Sequence, residues 1–154
     1  MNLYISQAKP NPTGKDKFGN IIPKKQLAGE WVDFKNISSS RLSLDSTSLY
    51  HRAYTDRHPE GEWDKIMQFN GNISPGETVR VHSGGEIPLS EMYHEDANGA
   101  DYHLFTGEGY KWNNDKSDTA GLWDRNTERW IDRATYNAYP TEGKILKRQG
   151  ELLV

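Results

Sequence analysis

Glycine, proline and asparagine recur at intervals of roughly ten residues along this chain, and every apolar pattern between them is short. That punctuation leaves no room for a long amphipathic helix, so the segments read as β-strands joined by turns. The densest example runs from 102 to 136. It contains Tyr102-His103-Leu104-Phe105, Tyr110-Lys111-Trp112-Asn113-Asn114-Asp115, Gly121-Leu122-Trp123-Asp124 and Trp130-Ile131-Asp132, and three of the five tryptophans. The expected fold is an all-β sandwich over residues 1–140, closed by this stretch, with residues 141–154 as a C-terminal tail that is loose or forms a short helix.

Alternation assigns faces to several strands. Val32 and Phe34 fall on one face of 29–36 while Trp31, Asp33 and Lys35 fall on the other, so Trp31 is expected under a loop or partly exposed. Val79 and Val81 point inward, and Arg80 and His82 outward. The apolar phase slips between Leu44 and Leu49, which requires a turn or bulge. Asn70-Gly71 and Ser74-Pro75-Gly76 are turn chemistry. Residues 86–101, carrying Glu86, Glu91, Glu95, Asp96 and Asp101, read as an acidic surface excursion with one helical turn near Ser90–Tyr93. Residues 10–29 read as a long polar loop, functional or mobile, holding Lys15, Asp16, Lys17, Lys24 and Lys25.

Composition limits the function classes. Leu, Ile, Val and Phe together number only 28 of 154 residues, but 17 aromatics supply the missing apolar area. A formal net charge of -3 and a pI near 5.9 argue against sequence-independent nucleic-acid binding, which draws its affinity from clustered Lys and Arg. The absence of cysteine excludes thiol catalysis, zinc-thiolate sites and disulfides. No membrane span and no signal peptide are visible, so the chain is expected in the cytoplasm.

Candidate chemistry is sparse. His51, His58, His82, His94 and His103 match no zinc spacing, and His51 and His82 fall on faces expected to be outward. Asp96, Asp101, Asp115 and Asp124 would form a hydrolytic pair only in a cleft that shifts their pKa values. No nucleophile elbow, Walker loop or dinucleotide fingerprint occurs. No catalytic residue, metal site or cofactor is therefore assigned.

The blocks Gly29–Asn36, Ile73–Val81, Tyr110–Asp115 with Gly121–Asp124, and Trp130–Asp132 ending in Tyr136 resemble the lamin tail domain family, including its bacterial relatives. They occur in the family's order and cover about residues 2–140. The resemblance implies an immunoglobulin-like β-sandwich acting as a non-enzymatic binding or scaffold module toward a protein or polymer. Tyr110, Trp112, Asn113, Asn114 and Asp115 are the expected contact patch, because exposed aromatics beside polar turns make efficient contacts. A carbohydrate- or calcium-dependent ligand site is the alternative, with oxygens from 91–101, Asp115 and Asp118. Metal-assisted hydrolysis is a third reading.

Overall fold

The computed structural model describes residues 2–14 and 23–154. The expected loop over 10–29 lies in part outside them, since it includes 15–22. The described residues are all-β apart from two short helices, α1 (Lys24–Ala28) and α2 (His94–Ala97), and one 3-10 turn at Leu89–Glu91. Its strands are β1 (Leu3–Lys9), β2 (Trp31–Asn36), β3 (Leu42–Ser43), β4 (Thr47–Ala53), β5 (Glu62–Gln68), β6 (Asn72–Ile73), β7 (Thr78–His82), β8 (Tyr102–Phe105), β9 (Asp118–Asp124), β10 (Arg129–Tyr136), β11 (Leu146–Gln149) and β12 (Leu152–Leu153). Ten of them form one curled sheet in the order β5-β4-β9-β10-β12-β11-β1-β2-β7-β8, and β3 and β6 form a small second sheet. No helix among the described residues is long and apolar enough to cross a membrane.

Curling brings the inner faces of the sheet's two halves onto one core. Leu3, Ile5, Val32, Phe34, Val79 and Val81 come from β1-β2-β7, and Leu49, Ala120, Leu122, Ala134 and Tyr136 from β4-β9-β10. Scarce aliphatics are supplemented by rings: Phe34 and Phe69 pack at 5.0 Å between centroids. The residues 141–154 are neither loose nor helical. They form the hairpin β11–β12, which pairs with β1 on one side and runs parallel to β10 on the other, joining the two halves. Isolated apolar residues such as Leu146 and Leu153 cannot announce this role, because each gains its burial only from distant strands.

The 86–101 segment is a cover and not a surface excursion. Strand registry aligns two rows of side chains on the outer face of β1-β2-β7-β8: Lys9, Trp31, His82 and Phe105, then Gln7, Asp33, Arg80 and His103. The cover buries much of both rows, leaving Trp31, Lys9 and Asp33 at 0% exposure. Asp96 on α2 accepts from Lys9 Nζ at 2.7 Å and from Trp31 Nε1 at 2.9 Å. Arg80 holds Asp33 through two hydrogen bonds of 2.7 and 2.8 Å, and its guanidinium lies 3.7 Å from the centroid of the Trp31 ring. Its remaining nitrogen donates to the carbonyls of Glu95, Asp96 and Asn98. Burial raises the Asp33 pKa, and Arg80 opposes that shift.

His82 was expected to face solvent. It does leave the apolar core, but it is 0% exposed, with the Ala28 carbonyl and the His103 and Phe105 rings against it. Its Nδ1 lies 2.6 Å from the Ala28 carbonyl and must donate to it, so Nε2 accepts from His103 Nδ1 at 2.7 Å. Burial pushes the His82 pKa down to about 3.

Two outcomes follow. Asp96→Ala leaves the buried Lys9 ammonium only its longer contact with Glu95, at 3.2 Å, and frees the Trp31 indole N–H, so denaturant unfolding should show a loss of up to about 3–5 kcal/mol. His82 is neutral in the fold and titrates near 6.5 when unfolded, so the unfolded chain binds the extra proton between those values. Its contribution to stability is complete above about pH 6.5 and declines on acidification, by up to about 1.4 kcal/mol per pH unit. The stability slope between about pH 4 and 6 should therefore be shallower in His82→Gln than in the parent; equal slopes would show that His82 does not carry it.

Candidate functional site

Among the described residues no segment covers the outer face of the other half-sheet in this way, and β-bulges decide which rings reach it. In β10 the pairing with β9 shifts between Trp130 and Asp132. The extra residue, Ile131, packs against the core, and Trp130 is turned to the outer face opposite Trp123. Gly121 accommodates it: a Cβ there would come within 2.5 Å of the Trp130 ring. Trp63 on β5 packs against Trp130 at 4.5 Å, and Trp123 meets Trp130 edge-on at 4.9 Å. Arg52, opposite Trp63 across the β4–β5 ladder, lies 5.0 Å from that ring's centroid.

Arg52, Trp63 and Trp130 form one wall of a surface groove of about 730 Å³. Tyr4 and Arg148 stand on the far side, with the guanidinium 4.5 Å from the tyrosine ring centroid. Arg148 is fixed by Asp132 through hydrogen bonds of 2.8 and 2.9 Å, and this pairing raises its pKa. Asp132 also accepts from the Ile5 amide at 2.7 Å, which fastens β1 to β10. Between the walls, Thr119 and Thr135 share a hydroxyl hydrogen bond of 2.8 Å. Arg133 lies exposed along the groove and makes no ion pair among the described residues. A second depression, of about 390 Å³, adjoins the groove at Trp130 and Ile131.

The expected contact patch divides. Trp112 is 4% exposed and belongs to the main core, with His51 packed against its ring, so it is not an exposed anchor. Asn113 is tied down by its amide to Asp118 Oδ2 at 3.0 Å, its side chain to the Arg52 carbonyl at 2.6 Å, and its own carbonyl, which accepts from Tyr136. The Asn114 carbonyl accepts from the Tyr139 amide at 2.5 Å. Tyr110 is half-buried, and of the five only Asp115 is exposed. An aromatic beside a polar turn looks the same in sequence whether it faces solvent or anchors the turn to the core; here it is the anchor.

His51 also differs from expectation, because it shares the inward face of Leu49 and is buried against Asp118 at 2.9 Å. Asp118 accepts further from the Arg52, Asn113 and Thr119 amides, and Asp101 from the Thr78 amide. Asp124 accepts from Asn126 and Thr127, and Asp96 and Glu95 from Lys9. Of the acidic groups considered for calcium or hydrolysis, Glu95, Asp96, Asp101, Asp118 and Asp124 are thus engaged locally, while Asp115 is exposed. No set of three or more His, Asp or Glu suited to a metal ion converges among the described residues.

The residues of the groove were not singled out as a site by sequence. A pairing of Arg52 with Trp63 and of Trp123 with Trp130 was the available signal, and it depends on registers that only the bulges set.

Replacing Trp112 with alanine removes a core ring and should lower stability by about 3–5 kcal/mol in denaturant unfolding, with no selective effect on a surface ligand. Comparison with protein-family models finds no family that matches this chain, and no curated protein matches it.

Proposed function

We propose that this chain is a non-enzymatic binding module that engages a protein or polymer partner along the tryptophan–arginine groove. The observation that carries the reading is the composition of that surface: Trp63, Trp130, Tyr4, Tyr54, Arg52, Arg133 and Arg148 line one groove. Trp, Tyr and Arg are the residues that most often dominate binding energy, since they bury large planar areas and keep a polar group in use. Their support on paired strands, with ring–ring and ring–guanidinium contacts, lowers the entropy lost on binding. The resemblance to the lamin tail domain, with its immunoglobulin-like sandwich, agrees with a contact role. The internal engagement of Asp96, Asp101, Asp118 and Asp124 favours contact over hydrolysis and over calcium binding.

Trp63 is half-buried at the groove and outside the main core, so Trp63→Ala tests the surface more cleanly than a core change. Against a partner recovered from the native host and purified, its affinity should fall about 30-fold or more, equivalent to roughly 2 kcal/mol. Thermal melting would verify the fold. Full affinity in Trp63→Ala, with loss in Tyr110→Ala or Asp115→Ala, would move the contact surface to the 110–115 loop.

A further inference from the structure

We propose that the ligand of the tryptophan–arginine groove is an uncharged glycan chain. This rests on the binding-module reading and specifies its ligand. Charge is the first argument. The groove is lined by three arginines and by three carboxylates, Glu60, Asp132 and Glu151. Two of the arginines are already committed: Arg148 is bidentate on Asp132, and Arg52 donates to the Glu60 and Gly61 carbonyls at 3.0 and 2.8 Å. A polyanion needs a surplus of cations along its track, and this groove has none.

The second argument concerns the floor. The groove lies over β4, β9 and β10, which are interior strands of the ten-stranded sheet, and meets the edge strand β5 only at Trp63. An extended peptide binds best where a sheet edge leaves N–H and C=O groups free, so this floor offers its backbone little. A pyranose has no amide to satisfy. It presents an apolar C–H face, which stacks on aromatic and guanidinium planes, and a rim of hydroxyls that donate and accept. The groove supplies both kinds of partner: Arg133 donates, Glu60 and Glu151 accept, and the Thr119 and Thr135 hydroxyls do either.

The third argument is extent. A second depression adjoins the groove at Trp130 and Ile131, so the concave surface is not confined to one compact pocket, as a chain of sugar units requires.

Affinity electrophoresis and calorimetry of the full chain would be run against neutral polysaccharides (β-glucan, xylan, mannan, α-glucan), acidic ones (polygalacturonate, heparin) and single-stranded DNA. At least one neutral glycan should bind and change tryptophan fluorescence, with affinity altered less than about twofold between roughly 50 and 500 mM NaCl. Trp63→Ala and, independently, the exposed Arg133→Ala should each weaken binding by about tenfold or more, while Asp115→Ala stays within about twofold. Binding confined to the polyanions and lost in salt would overturn the proposal, as would neutral-glycan binding untouched by both groove variants. Failure of every neutral glycan, alongside Trp63-dependent binding to a purified protein partner, would overturn the glycan while leaving the binding module standing. Loss of both would remove the module reading as well.

Discussion

The bidentate pair between Asp33 and Arg80 is the interaction on which one side of the molecule depends. Two charges stand on the outward face of neighbouring strands, where alternation would normally leave them in water. They are instead buried, a transfer that costs several kcal/mol per ion unless further hydrogen bonds offset it. The offset comes from the cover: three carbonyls of residues 95–98 accept from the same guanidinium, and Asp96 neutralises Lys9 in the adjoining row. A charge layer of this kind is specific before it is stabilising, since only one placement of the cover satisfies it. The small apolar cluster of Ala28, Ile87 and Met92 supplies the ordinary burial beside it.

That investment on one half-sheet leaves the molecule asymmetric. Both halves present rings and arginines on their outer faces. Over β1-β2-β7 they are sealed, with Trp31 sandwiched beneath Arg80 and α2. Over β4-β9-β10 the same residue types stay half-exposed and line a groove. The chemistry is alike, and the difference is whether a segment of chain lies on top. A protein that closes one aromatic face and leaves the other open has retained an apolar, planar surface in water, and the proposed function follows from that choice.

Much of the strand pattern was legible because it rests on local rules. The turns at Asn70-Gly71 and Ser74-Pro75-Gly76 lie where their backbone needs predict, with Gly71 and Gly76 at φ 89° and 81°. The apolar pairs Val32/Phe34 and Val79/Val81 face the core as their alternation requires. Less of the site was legible. Trp112, expected at a surface, is a core residue, and the 141–154 segment, expected outside the sheet, joins its two halves. Both errors concern residues whose environment is built by segments far away in the chain.

Sequence alone determined the all-β class, the main strand and turn positions and the dependence on aromatic burial, because each follows from period-two alternation, turn stereochemistry and composition. Tertiary structure decided what the polar faces became. One extra residue at Ile131 moved Trp130 from the core side to the surface, and the course of residues 86–101 turned Lys9, Asp33 and Arg80 from solvent-facing groups into a buried layer. Neither result has a local signature, since a bulge is defined by its partner strand and burial by whatever lies above.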